Sequence, residues 1–204
     1  MYQLESTGTS RSNNFTVGFK ETLRSKRNLN LFANYTLGWN YNDTDGSFAL
    51  PANNYDLRSE WGRAPSDQRH RFVAGVNVRS FWNVNVNTNI QASSNRPYNI
   101  TTGFDDNHDT NTNDRPAGAR RNTGIGPDLF NANVSLQKTV RLRTEKPAAN
   151  PKAAPAMTFI ANFWNALNHT QYQPYSGVMT SAFFGRPNRA NNPRSVEVGL
   201  RFNF

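Results

Sequence analysis

The chain has 204 residues, a formal net charge of +9 and no cysteine. The lack of cysteine excludes a disulfide framework, a Cys-ligated metal site and a thiol nucleophile. Hydrophobic residues make up only 36% of the chain, and no stretch approaches the roughly 18 consecutive apolar residues of a membrane helix. A helical membrane protein is therefore excluded. A transmembrane barrel stays open, because only alternate residues of its strands face lipid.

The chain opens on MYQLESTGTSRSNN, which lacks the basic and apolar segments of a secretory signal. Strand-like residues begin almost at Met1. We therefore expect a short opening strand over residues 1–8 and a chain that is part of a longer exported protein.

Segment 28–42 alternates apolar and polar residues with a strict period of two, which predicts a strand. Its length exceeds the five or so residues of a common soluble strand and fits a tilted membrane-spanning strand. Segment 82–92 repeats the pattern, with a row of amides on one face. Weaker alternation predicts strands at 13–24, 69–81, 129–142 and 156–167, and residues 195–204 form the predicted final strand.

Eight strands result, with long connections at 43–68, 93–128 and 168–194. In an up-and-down order these three connections fall on one side, as the external loops of outer-membrane barrels do. A β-sandwich remains an alternative for the alternating strands, but it more often uses short connections. The predicted fold is therefore all-β: an antiparallel up-and-down transmembrane barrel segment of about eight strands.

The chain ends on SVEVGLRFNF, in which Glu197, Gly199, Phe202 and Phe204 look like the C-terminal insertion signal of outer-membrane barrels. Such a signal implies recognition by the barrel-assembly machinery and insertion among outer-membrane lipids. The alternative is an ordinary strand that closes a domain.

Four stretches resemble TonB-dependent receptors of the Oar-like group that carry a carboxypeptidase-regulatory-like domain: YQLESTGTSRSNNFTVGF, SDQRHRFVAG, NRPYNITTGFDDNHDTNTNDRPAGARRNTGIGPDLFN and ANFWNALNHTQY. The resemblance implies that residues 1–204 are the C-terminal part of a barrel of about 22 strands, without its plug and regulatory-like domain. It also implies a bacterial outer-membrane location, a TonB partner acting through the missing part, and import of a bulky nutrient such as a siderophore or saccharide.

The loop 105–114 places oxygen-bearing side chains at alternating positions, as calcium-binding loops do. We expect Asp105, Asn107, Asp109 and Asp114 to gather around one Ca²⁺. Thr110 stands where the sharp turn of such a loop favours glycine, and no Glu occupies the twelfth position. A polar loop without a cation is therefore the alternative, and no cofactor is required.

Arginines cluster in the predicted external loops, notably Arg115, Arg120, Arg121, Arg186 and Arg189. Guanidinium groups bind phosphate and carboxylate groups in pairs of hydrogen bonds, so lipopolysaccharide or an anionic nutrient could bind them. A solvated basic surface is the alternative. Nucleic acid is not expected, because no recognition motif or aromatic platform accompanies the charges.

We expect no enzymatic activity. His70, His108 and His169 lie far apart in the sequence, and Glu60 and Asp67 have no evident catalytic partner. Two other functions stay open: a stand-alone eight-stranded barrel for anchoring or adhesion, and a secreted carbohydrate-binding β-sandwich. In a segment of a larger barrel the first and last strands do not pair with each other, whereas in a closed small barrel they do.

Overall fold

One antiparallel sheet dominates the computed structural model, which describes residues 6–24, 28–80, 82–142 and 155–203. The strands in chain order are β1 (Ser10–Leu23), β2 (Leu29–Asn42), β3 (Gly62–Arg63), β4 (His70–Arg79), β5 (Val84–Ser93), β6 (Pro97–Tyr98), β7 (Gly124–Ile125), β8 (Leu129–Arg141), β9 (Ala156–Trp164) and β10 (Ser195–Asn203). Among these residues the only helical element is a 3-10 turn at Leu57–Glu60, and no helix is long and apolar enough to span a bilayer.

The large sheet contains eight strands. Seven follow the order β1-β2-β4-β5-β8-β9-β10, and the two-residue β3 pairs with the end of β2. The predicted all-β class and the antiparallel sheet of eight strands are therefore confirmed. The predicted opening strand at residues 1–8 does not appear in the part of it that is described, however. Residues 6–9 form no strand and residues 1–5 lie outside the described part, whereas β3 was not predicted.

Each long strand pairs with the long strands before and after it in the chain, so the connections alternate between the two ends of the sheet. Loop 1 (residues 43–69), loop 2 (94–128) and loop 3 (165–194) leave the same end, called here the loop end. The chain passes from β1 to β2, from β4 to β5 and from β8 to β9 at the opposite end, called here the turn end. There the Ser80 N–H donates to the carbonyl of Val84 at 2.7 Å, and Asn83 has φ 56°, in the left-handed region.

In the described residues β1 pairs only with β2, and β10 pairs only with β9. The sheet is therefore open rather than closed into a small ring. Apart from this sheet there is only the two-residue β6–β7 ladder within loop 2, so the described residues contain no second sheet packed face to face, as a β-sandwich requires.

The pairing register carries one apolar face across all seven long strands, because side chains alternate along each strand. This apolar face includes Phe15, Val17, Phe19, Leu31, Tyr35, Phe72, Val76, Val86, Ile90, Val134, Leu136, Phe159, Phe163, Val198, Leu200 and Phe202. The opposite, polar face carries mainly Asn, Gln, Ser and Thr. The only buried hydrophobic residues of the described part are four alanines, so the apolar face packs against no core.

Phe32 is an aromatic residue on the polar face. It pairs with Gly75, and its ring occupies the space that a Cβ at position 75 would need. Such a Cβ would also lie 3.0 Å from the carbonyl oxygen of Thr88. The absence of a Cβ at Gly75 allows the Phe32 ring to approach this closely.

Candidate ligand-binding site

A buried ion pair joins loops 1 and 2. Arg115 donates from Nη2 to Glu60 Oε1 at 2.7 Å and from Nη1 to Oε2 at 3.1 Å. Both side chains are less than a tenth exposed. Glu60 Oε1 also accepts the backbone N–H of Ala52 at 2.9 Å. Because a two-point contact fixes the guanidinium plane, this pair sets the relative position of the two loops.

A second link anchors loop 2 to the loop end of β2. The buried guanidinium of Arg121 contacts the backbone carbonyl and the side chain of Asn42, and it lies 3.1 Å from Asp45 Oδ1. The side chain of the next residue, Asn122, donates to the carbonyl of Arg63 at 2.6 Å. Loop 2 is thus held against both β2 and β3.

Loop 1 is fixed by the fully buried carboxylate of Asp67. Asp67 Oδ1 accepts the backbone N–H of Asn40 at 2.9 Å. Its Oδ2 accepts Arg63 Nε at 2.6 Å and lies 3.4 Å from Arg69 Nη2. The buried charge is compensated by hydrogen bonds on both oxygens, as a buried carboxylate requires. This arrangement ties the end of loop 1 to β2.

Loops 2 and 3 also contact each other. Thr101 and Val178 form a β-bridge, and the rings of Tyr98 and Tyr175 stack with centroids 5.8 Å apart. Burial raises the pKa of the Tyr175 hydroxyl, and the neighbouring Tyr98 and Tyr172 add to the effect. Loop 2 therefore lies between loops 1 and 3 and is bonded to both.

A cavity of about 960 Å³ opens against the polar face at the loop end. Its strand wall includes Gln91, Asn131, Asn133 and Trp164. The rest of its wall comes from the loops: Gln68 of loop 1, Arg96 of loop 2, and Gln171 with residues 189–193 of loop 3. The volume falls at the upper end of the range of small-molecule sites, about 300–1,000 Å³. We take this cavity as the candidate site.

The cavity is basic. Arg71 of β4, Arg96 of loop 2 and Arg189 of loop 3 all line it, and the described residues of its wall include no Asp or Glu. All three side chains are exposed, and within the described part of the chain none of them forms an ion pair. Fixed charges of one sign in a concave site raise the local concentration of oppositely charged ligands.

The loop predicted to hold Ca²⁺ directs its side-chain oxygens to its own backbone. Asp105 accepts the N–H groups of Asp109 and Thr110, each at 2.9 Å. Asn107 accepts Asp109 N–H at 3.0 Å, and Asp114 accepts the N–H groups of Asp106 and Asn107. Thr110 has φ 75°, the conformation that glycine would adopt. Across the described ranges no three acidic or histidine side chains form a group suited to a metal ion.

The five predicted loop arginines fall into three groups. Arg115 and Arg121 are buried in contacts within the chain, so their charges serve to join the loops. Arg120 and Arg186 are exposed and do not line the cavity. Arg189 is exposed and lines it. The structure thus brings only Arg189 of this set to the candidate site.

Three of the four predicted insertion-signal residues lie on β10, the exposed edge strand. Glu197 and Gly199 are on the polar face, and Phe202 is on the apolar face, about half exposed. Phe204 lies outside the described residues. The other candidates are also dispersed: His70 contacts Tyr35 through Nδ1 at 2.7 Å, His169 packs near Phe130, and His108 stands apart in loop 2.

No protein-family model, curated protein or solved structure matches the chain. The cavity therefore has to be interpreted from its own residues. The sequence interpretation named Arg189 among the loop arginines but could not group it with Arg71 and Arg96, and it did not single out Trp164. The signal it used was local, whereas these four residues come from four separate parts of the chain: β4, loop 2, β9 and loop 3.

Proposed function

We propose that the chain forms part of the wall of a bacterial outer-membrane receptor of the TonB-dependent type, which binds a bulky nutrient at its loop end and imports it. The main supporting observation is the continuous apolar face of the seven-stranded path. Val198 is 78% exposed, Phe15 62% and Phe19 57%. An exposed apolar surface of this extent marks a membrane or partner interface.

The polar face supports the same proposal. The amides and hydroxyls on the polar faces of β5 and β8 suit a hydrated barrel lumen. The three long loops lie at one end of this face. Both edge strands, β1 and β10, offer unpaired backbone groups in the described part. A barrel wall in lipid cannot leave such groups unpaired, so we propose that further strands pair with both edges.

Aromatic side chains near the two ends of the sheet fit the interfacial positions of a membrane wall. At the loop end Tyr41 stacks on Trp61 with centroids 6.3 Å apart, and the Arg69 guanidinium lies 5.5 Å from the Trp39 ring. At the turn end Trp82 is 79% exposed. TonB coupling and the imported nutrient belong to the proposal through the resemblance described above.

The test introduces the same charge on opposite faces of β1. Val17→Arg places a cation on the apolar face, and Thr16→Arg places it one residue away on the polar face. A cation on a lipid-facing strand costs about 2–4 kcal/mol near the bilayer midplane. We expect Val17→Arg to lower the amount of heat-modifiable protein in the outer-membrane fraction and Thr16→Arg to leave it near the wild-type level.

Equal membrane integration of the two variants would contradict the proposal, as would recovery of the wild-type protein in a soluble fraction. Both outcomes are read from the same fractionated cells at matched expression.

A further inference from the structure

We infer that the cavity at the loop end binds an acidic oligosaccharide, a ligand with several hydroxyl groups and a regular series of carboxylates. This inference names the ligand class of the proposed receptor and rests on that proposed function. It is carried by the meeting of Arg71, Arg96 and Arg189 in one cavity.

The charge of the cavity points to an anion. The three arginines come from β4, loop 2 and loop 3, and no acidic residue lines the described wall. Structural arginines elsewhere at the loop end are neutralised: Arg63 by Asp67, and Arg115 by Glu60. The three arginines of the cavity have no such partner in the described part of the chain. A ligand that bears carboxylates would supply the missing partners and form paired hydrogen bonds with the guanidinium groups.

The rest of the wall points to a ligand rich in hydroxyl groups. Gln91, Asn131, Asn133 and Asn191 provide amides, each of which can both donate and accept hydrogen bonds. The side-chain oxygen of Asn131 is buried and has no hydrogen-bond partner among the described residues. Gln91 Nε2 already donates to Asn89 Oδ1 at 3.0 Å, and Asn133 Oδ1 already accepts the backbone N–H of Asn165 at 2.9 Å. A small inorganic anion would use the arginines and leave the side chains of Asn131 and Asn191 without a role.

Trp164 adds an apolar surface. It lies on the polar face of β9, opposite Ser195, is about half exposed and lines the cavity. An exposed indole among amides offers a flat apolar body beside polar groups, which suits the mixed faces of a sugar ring. The cavity thus combines charge, amides and an aromatic surface, and an acidic oligosaccharide uses all three.

The protein is extracted from the cell fraction in which it is found. Ligand binding to this protein is then measured by titration calorimetry. The probes are trigalacturonate, its neutral counterpart maltotriose, and sodium sulfate. We expect trigalacturonate to bind at least tenfold more tightly than either of the other two. Equal binding of maltotriose, equal binding of sulfate, or no binding of trigalacturonate would overturn the inference.

The matched variants are Arg189→Gln and Arg186→Gln, two exposed arginines of loop 3 of which only Arg189 lines the cavity. Removing one charged hydrogen-bonding partner should weaken trigalacturonate binding about tenfold, or about 1.4 kcal/mol, in Arg189→Gln and leave Arg186→Gln unchanged. Trp164→Ala should also weaken it, and Trp164→Phe should restore most of the affinity. Equal effects of the two arginine variants would contradict the assignment.

Membrane integration measured on the same preparations separates the two proposals. Heat-modifiable membrane protein that binds none of the probes would refute only the ligand class. Wild-type protein found in a soluble fraction would refute the proposed receptor, whatever the titration gives.

Discussion

Arg115 of loop 2 donates hydrogen bonds to both carboxylate oxygens of Glu60 in loop 1, and the two side chains are almost fully buried. The residues are 55 positions apart, so the pair joins two loops that have no strand pairing between them. Breaking a buried pair leaves an uncompensated charge, which costs about 3–5 kcal/mol.

We expect Arg115→Ala to loosen loops 1 and 2 and make both more sensitive to proteolysis. The control is Arg120→Ala, an exposed arginine of the same loop. The double variant Glu60→Ala/Arg115→Ala should be less sensitive than Arg115→Ala alone, because no charge is then left unpaired. Limited proteolysis with mass spectrometry measures the cleavage sites, and equal cleavage in all variants would contradict the role of the pair.

Gly75→Ala tests the close packing of Phe32 on the polar face. The added methyl would collide with the Phe32 ring, and overpacking typically costs about 1–3 kcal/mol. We expect a lower denaturant midpoint, with recovery in Phe32→Ala/Gly75→Ala. Gly199→Ala is the control, because a Cβ there meets nothing within 4 Å. A midpoint for Gly75→Ala equal to that of the control would show that the ring can move away freely.

Asp43 of loop 1 provides a test at acid pH. Burial is the largest single influence on Asp43 and by itself would raise the pKa. Hydrogen bonds from the Thr9 hydroxyl at 2.5 Å and the Thr9 backbone N–H at 2.8 Å, together with the charge of Arg121, outweigh burial. The pKa of Asp43 is therefore lowered below its ordinary value of 3.8. The carboxylate therefore stabilises the fold above pH 3.8, and this contribution is lost as the pH falls through the folded-state pKa.

We expect Thr9→Val to bring the pKa of Asp43 back toward 3.8, because the variant keeps the N–H donor and removes the hydroxyl. Thr7→Val, also before β1 and exposed, should have no effect. The pKa of Asp43 is measured directly from its carboxyl chemical shift, followed by NMR from about pH 2 to about pH 6, a range that brackets the ordinary pKa of Asp. An unchanged pKa in Thr9→Val would assign the shift to other groups.

Deleting Phe204, or replacing it with Asp, should reduce insertion into the outer membrane more than it reduces ligand binding. A charged side chain near the membrane interface costs only about 0–1 kcal/mol of folding free energy. A large loss of heat-modifiable protein would therefore indicate lost recognition by the assembly machinery. Arg201→Gln on the same strand is the control. Wild-type integration of the Phe204 variants would reduce SVEVGLRFNF to an ordinary closing strand.

The strands were predictable because their signal is local. Alternation placed a strand at 28–42 where the structure has Leu29–Asn42, and at 82–92 where it has Val84–Ser93. The prediction was less accurate at the start of the sheet, because residues 7–9 alternate only weakly. The short strand β3 was missed because its two residues are defined only by their pairing with Tyr41 and Asn42.

The loop end could not be predicted in the same way. The alternating oxygens of the 105–114 loop predicted a shared Ca²⁺, but spacing does not reveal that Asp105 and Asp114 accept backbone N–H groups of their own loop. Nor does composition distinguish the buried Arg121 from the exposed Arg120 beside it. Both distinctions depend on contacts between residues far apart in the chain.

Because every long strand pairs with its neighbours in the chain, a hairpin could be added or removed without changing which other strands pair. Duplication or loss of one hairpin in the gene would change the width of the sheet by two strands and keep the direction, facing and loop side of every other strand. Gain or loss of a single strand would reverse all the strands after it and carry their loops to the opposite end. Only changes of two strands therefore preserve the orientation and the loop side of the remaining sheet.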